Sequence, residues 1–221
     1  MPPDPLGKGH PMRDEAILGD GALIFDDTGF AKQGKSSVGV SRQYSGSLGK
    51  VGNCQVAVTG VYADPAVSWP LNVRLYLPKA WTDDPDRCAK AGVPEAISFQ
   101  TKPAIALSLL DEARRLQVPH KVVVVDADYG NDPTFLAGLE SRSEPYVVAV
   151  PCDFQVTVKG ERKKGSRRVD EVLKEQPLSA WKTIRWREGT KGWLRKKFVA
   201  LRVYRTLKGV PIQLGWLIGE R

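Results

Sequence analysis

With 221 residues, 42% of them hydrophobic, the chain can bury a sizeable core in one large domain or in a domain carrying an insertion. It has no apolar run of membrane-spanning length, no basic-then-apolar leader in MPPDPLGKGHPMRDE, and only three scattered cysteines without a CxxC pair. No membrane span or secretion signal is therefore expected, neither a disulfide framework nor a zinc knuckle is suggested, and a reducing cytoplasm fits. The net charge of +8 is uneven: residues 151–221 hold 18 Lys or Arg against 7 Asp or Glu, while the first 150 hold 15 against 18, so a basic back half suited to a polyanion follows an acidic-to-neutral front.

Residues 1–20, rich in Pro, Gly and charge, are expected to form an extended lead-in. GALIFDD, residues 21–27, reads as a short strand ending in two carboxylates, followed by a Gly- and Lys-bearing loop over 28–36. SVGVSRQY and CQVAVTGVYA read as strands joined through SGSLGKVGN, a connection dense in turn residues. NVRLYLP adds another strand, so the front of the chain reads as strands in antiparallel series.

Helices come next. Thr82 or Asp83 can cap DDPDRCAKAG, and Thr101 can cap residues 102–117, with Pro103 in the first turn and Ile105, Leu109, Ala113 and Leu116 on one apolar face. After them stands KVVVVDADYG, whose four β-branched residues read as a buried strand ending in Asp126. A carboxylate at the carboxyl end of such a strand lies where open α/β sheets place ligand and metal chemistry. Asp132 opens a helix over PTFLAGLESR, and YVVAVP is a fifth strand. In the back half a basic loop (KGERKKGSRR) and a short helix (VDEVLKEQ) precede strands at WKTIRWREG, KKFVALRVYRT and IQLGWLIGER. Trp181, Trp186 and Trp193 interleave there with Lys and Arg, which suits either a twisted sheet with solvated basic side chains or a DNA-holding surface with aromatic support.

Two strand-end carboxylate clusters, Asp26-Asp27 and Asp126, are the candidate chemistry. Hard divalent ions take oxygen ligands and commonly keep water and substrate phosphates, and such ions serve phosphodiester cleavage. Asp at a strand end is also an ordinary turn former, and spacing alone leaves both readings open. GFAKQGKSS matches the letters of a phosphate-binding GxxxxGKS loop, but that loop must lead into a helix, and the residues after Ser37 read as a strand.

DDTGFAKQGKSSVGVSRQYSGSLGKVGNCQVAV resembles the opening catalytic block of bacterial insertion-sequence transposases of the DDE superfamily. LYLPKAWTDDPDRCAKAGVP, VDADYGNDPTFLAGLE and WREGTKGWLRKKFVALRV look like later blocks of that family, in the same order. The resemblance implies an α/β fold: a ribonuclease H-like mixed sheet flanked by helices, with a β-rich insertion. The core would occupy residues 21–152 and the basic insertion 153–221. It implies cleavage of DNA at element ends and strand transfer with Mg2+ or Mn2+. The D-x-T pattern maps the first catalytic Asp to Asp26, with Asp27 as second choice for the metal, and the second catalytic Asp to Asp126. Lys32, Lys35, Arg42 and Lys50 are candidate phosphate contacts near the first Asp, and Lys163, Lys164, Arg167 and Arg168 are DNA-binding candidates in the basic loop. Gln43 and Tyr44 match a family motif. The family's third acid, a Glu on a helix beyond the insertion, has no match, and Glu220 lies at a strand end, in the wrong context. The expectation is thus a truncated transposase with impaired cleavage, acting with DNA in the bacterial cytoplasm and nucleoid, with no membrane partner and with a homodimer on DNA as one assembly open to it. A non-catalytic DNA-binding remnant and an unrelated nuclease are the rivals.

Overall fold

The computed structural model describes residues 20–190 and 192–221, so the expected lead-in falls, but for Asp20, outside the described residues. Two compact units divide at Ala149 and Val150. No described helix is long and apolar enough to cross a membrane.

Unit 1 is built on a six-stranded mixed sheet. Its strands are β1 (Ala22–Ala31), β2 (Ser41–Ser45), β3 (Lys50–Ala63), β4 (Ser68–Leu75), β5 (Val122–Val125) and β6 (Tyr146–Val148). The order is β2-β3-β1-β5-β6, and β4 shares with β2 the outer edge of β3. The pairings of β3 with β1, β2 and β4 are antiparallel, as the front of the sequence suggested. Those of β5 with β1 and β6 are parallel. Pro70, which has no amide to give a ladder, lies in β4, a strand that pairs on one side only.

The first strand is longer than the sequence suggested. It runs through both aspartates to Ala31, so residues 28–31 are strand and not loop. The reason is tertiary: β3 is 14 residues long and supplies partners from Ala63 opposite Ala22 to Cys54 opposite Ala31. On its other side β1 is paired with β5 only from Ala22 to Ile24. The aspartates therefore lie mid-strand, just past the point where the parallel neighbour stops.

Residues 32–40 form a loop fastened by side chains. The Asn53 amide donates to the carbonyls of Lys32 (2.8 Å) and Gly34 (2.9 Å), Arg87 to that of Lys35 (2.9 Å), and the buried Trp81 indole to that of Val40 (2.8 Å). The loop leads into β2 and not into a helix, which rules out a phosphate-binding loop at GFAKQGKSS.

Six α-helices occur among the described residues: α1 (Lys79–Thr82), α2 (Pro85–Lys90), α3 (Lys102–Arg115), α4 (Ala127–Gly130) and α5 (Pro133–Ser141) in unit 1, and α6 (Val169–Lys174) in unit 2. The cap of α2 is Asp84, not Thr82 or Asp83. Thr82 already belongs to α1, and Pro85 fixes the first helical position so that Asp84 can accept from the Arg87 amide. Asp132 caps α5 as expected. Thr101 caps α3, its hydroxyl accepting from Ala104 N at 3.2 Å, and Ile105, Leu109 and Ala113 are buried one turn apart as α3 packs on β3 and β4. Thr101→Ala is expected to cost about 1 kcal/mol in a urea melt, the usual value of such a cap.

Unit 2 carries a second sheet of β7 (Gln155–Val158), β8 (Arg167–Arg168), β9 (Lys182–Gly189), β10 (Gly192–Leu207) and β11 (Val210–Glu220). The order is β11-β10-β7-β8, with β9 on the other half of β10. Its core joins Val156, Val203 and Leu217 from the sheet to Val169 and Val172 from α6. The β9 ribbon, by contrast, is exposed along nearly its whole length.

Candidate functional site

Where β1 and β5 part, each reaches an aspartate at the same offset. Ile24 is paired with Val124, and two residues further on each strand stand Asp26 and Asp126. Leu23 and Phe25 on β1 and Val123 and Val125 on β5 are buried, so the alternation of the pleat turns Asp26 away from that packed face and Asp27 towards it. The Asp26 carbonyl accepts from the Thr59 hydroxyl at 3.1 Å, and its carboxylate accepts from the Asp27 amide at 2.7 Å.

Asp126 is the cap of α4. One of its oxygens accepts from the amides of Asp128 (3.1 Å) and Tyr129 (3.4 Å). Partial burial pushes the Asp126 carboxyl above its usual range. The Tyr129 and Asp128 amides oppose that rise, and the negative charges of Asp128 and Asp26 add to it. The negative charge of Asp26 is thus felt, as the smallest of these influences, at Asp126.

Asp27 has other partners. Lys102, the first residue of α3, forms an ion pair with one oxygen, and the Tyr129 phenol donates to the other. The phenol is held far above its normal range by burial first, then by the bond to Asp27, then by the charges of Asp27, Asp26 and Asp126. A small cavity of about 190 Å³ opens here, lined by Asp27, Tyr76, Thr101, Lys102, Pro103, Asp128 and Tyr129. Among the described residues, no three His, Cys, Asp or Glu side chains gather closely enough to hold a metal by themselves. Two carboxylates do suit Mg2+, which is commonly held by one or two of them together with water and substrate phosphate.

Sequence reasoning missed Tyr129 and Lys102. The DADYG run hinted at the first. Nothing local marks Lys102, which meets Asp27 across 75 positions.

The basic candidates of unit 1 are not gathered at the carboxylates by β1. Lys32 follows β1 six residues after Asp26, about 20 Å along an extended strand, and Lys35 is further on in the fastened loop. Arg42 and Lys50 are exposed on the β2–β3 hairpin, where Ser45 lies against Gly29 of β1.

In unit 2, three of the four basic-loop candidates already hold carboxylates. Lys164 pairs with Glu161 at 3.0 Å, Arg167 with Glu175 at 2.9 Å, and Arg168 with Asp170 at 2.9 Å. The Arg168 contact is the main cause that lowers Asp170 to about 2. Lys163 is exposed. Such surface pairs are weak enough for a phosphate to displace. Glu220 lies in β11 and pairs with Lys196 of β10. Sequence reasoning also did not resolve the arginine–tryptophan pairs: Arg185 lies 4.3 Å from the Trp193 ring centre and Arg202 lies 4.8 Å from that of Trp216, with Trp193 and Trp216 both largely exposed.

A family model described as DDE superfamily endonuclease matches residues 12–193. The chain is also 31% identical over 139 residues to a protein of Microchaete diplosiphon described as a probable transposase for insertion sequence element IS701; the match covers 62% of this chain and 33% of that protein. The chain therefore spans about a third of the length of the curated relative it matches.

Proposed function

Because the chain belongs to the family of DDE superfamily endonucleases, we propose that it binds a divalent metal, Mg2+ or Mn2+, between Asp26 and Asp126 and serves DNA cleavage of the transposition type. The observation that carries this reading is the equal offset of the two aspartates past the last paired residues of parallel strands. The residues fit the ion by chemistry. Both candidate ligands are hard oxygen donors, and the Asp126 carboxyl, raised first by burial, also feels the negative charges of Asp128 and Asp26. Asp27 fits less well as a ligand, since Lys102 and Tyr129 engage both of its oxygens.

When bound, the ion would polarise a phosphoryl oxygen. The chain's own part is to hold two carboxylates where β1 and β5 part and to present cationic side chains to the DNA backbone. For the latter the candidates are Lys32, Lys35, Arg42 and Lys50 in unit 1 and Lys163, Lys164, Arg167 and Arg168 in unit 2. The exposed arginine–tryptophan pairs of unit 2 add stacking surface suited to a nucleic acid.

A ribonuclease H-like core is supported by the strand order β4-β3-β1-β5-β6, in which three antiparallel strands lead into two parallel ones. On this reading residues 21–152 are that core and 153–221 the basic insertion, working on DNA in the cytoplasm, with a homodimer on DNA as one assembly.

A second reading is favoured by the absence of a third metal-holding side chain among the described residues: the chain binds DNA but cuts it weakly or not at all. One experiment weighs both. Wild type and the double variant Asp26→Asn/Asp126→Asn are compared for Mn2+ binding, for nicking of supercoiled plasmid and for salt-dependent DNA binding. Mn2+ binding lost in the double variant supports the metal site, and any nicking lost with it supports catalysis. DNA binding unchanged in the variant, with no nicking by either protein, supports the binding module. Mn2+ bound equally by both proteins would overturn the metal site.

A further inference from the structure

The paired positions of β1 and β5 end at Ile24 and Val124, yet the two aspartates that would share a cation stand beyond them. Past that point the backbones part. β1 continues beside β3 to Ala31, while the chain after Val125 turns into α4. Something other than the strand ladder must then set the gap between Asp26 and Asp126.

We infer that Tyr129 is the positioning residue that sets this gap, a role that rests on the metal-site reading above. Tyr129 touches both sides. Its amide donates to the Asp126 carboxylate at 3.4 Å, and its phenol donates to Asp27, the immediate neighbour of Asp26. The residue is a strut between the middle of β1 and the cap of α4, bridging 102 positions of sequence.

The strut is stiff. Tyr129 is 2% exposed, and its ring lies edge-on to Phe135 at 5.7 Å. The next residue, Gly130, passes so close to the Ala149 carbonyl that a Cβ would meet it at 2.0 Å. At the far end Lys102 engages the other Asp27 oxygen, so Asp27 is gripped from α3 and from α4. Neighbouring side chains on a strand point to opposite faces, so a clamp on Asp27 restrains the backbone from which Asp26 projects to the other face. Second partners of this kind hold ligands in place, and their loss typically weakens metal affinity by about 10- to 100-fold.

The test is Mn2+ binding to the full 221-residue chain, read from the electron paramagnetic resonance of free Mn2+, together with thermal melting with and without metal. Tyr129→Phe keeps the ring and removes only the hydroxyl. It is expected to weaken Mn2+ binding about tenfold and to shrink the metal-induced rise in melting temperature. In the double variant Asp27→Ala/Tyr129→Phe the two losses are expected not to add, because both cut one strut.

A Tyr129→Phe chain that melts lower but binds Mn2+ as wild type does would reduce the tyrosine to a packing role and overturn the inference. If Asp126→Asn abolishes binding in the same series, the metal site itself stands. Equal Mn2+ binding by wild type and Asp126→Asn would instead overturn the metal site and this inference with it. Additive losses from Asp27 and Tyr129 would mark Asp27 as a ligand in its own right and also overturn the strut. Should Tyr129→Phe fail to fold, Asp27→Ala severs the same link from its partly exposed end, and unchanged affinity there is equally decisive against it.

Discussion

Asp126→Asn is expected to make the metal-free protein more stable at neutral pH while removing its response to metal. The folded chain raises the Asp126 carboxyl above the ordinary value of about 3.9, through burial first, with Asp128 and Asp26 adding to the rise. A carboxylate whose pKa is raised by folding opposes folding wherever it is ionised, and that penalty fades as pH falls through the raised value. The gain from Asn is therefore largest near pH 7 and shrinks in acid. Asparagine can also keep the cap of α4, since its side-chain oxygen accepts from the amides of Asp128 and Tyr129 much as aspartate does.

With metal the order reverses. A ligand at 100 times its dissociation constant stabilises the folded state by about 2.7 kcal/mol, and only wild type collects that term in full. Loss of a direct ligand is expected to weaken Mn2+ binding by more than about a hundredfold, beyond the range for secondary partners. Melting curves at pH 7 and pH 4, with and without Mn2+, check both signs. A variant less stable than wild type at pH 7 without metal would show that the carboxylates do not strain the apo protein.

The largest loss of stability is expected from Gly130→Ala. The new methyl carbon would stand 2.0 Å from the Ala149 carbonyl oxygen and 3.1 Å from the Val148 Cβ. The first obstacle is backbone, so no side-chain rotation relieves it, and α4 must move off β6. Overpacking of this kind costs about 3 kcal/mol or more, or roughly 6–12 °C in melting temperature for a chain of this size. The shift would carry Tyr129 with it and weaken metal binding as well. Gly215→Ala is the control, because no atom lies within 4 Å of its added carbon and a change within about 0.5 kcal/mol is expected.

Local chemistry was legible in the sequence, and pairing at a distance was not. Thr101 and Asp132 could be named as caps because a cap and its amides lie within three residues of each other. The β2–β3 hairpin could be placed because its turn residues are adjacent. The end of β1 could not, because it is set by the reach of β3, some thirty positions away. Short β7, with Gln155 and Thr157 among its four residues, carries too little pattern to be recognised and owes its state to β10. The same division runs through the candidate site. Asp126 stands out as a candidate at the end of a valine run, and Asp26 comes forward as one only through the D-x-T pattern of the family it resembles. Lys102 and Tyr129 meet Asp27 only because β1, α3 and α4 converge in space. The engagement of Arg167 and Arg168 by Glu175 and Asp170 likewise depends on where β8 leaves the chain as α6 begins.

The placement of β5 beside β1 also bears on the order of events at the ribosome. β3, the antiparallel partner of β1, and the β2 and β4 strands that pair with β3 emerge within about fifty residues of β1, so the antiparallel half of the sheet can begin to form early. Val122 and the residues after it emerge roughly a hundred positions later than Ala22. The two strands that carry Asp26 and Asp126 are thus brought side by side only once most of unit 1 has been translated, and on the metal-site reading a nascent chain would offer no cation seat until its scaffold is there to restrain it.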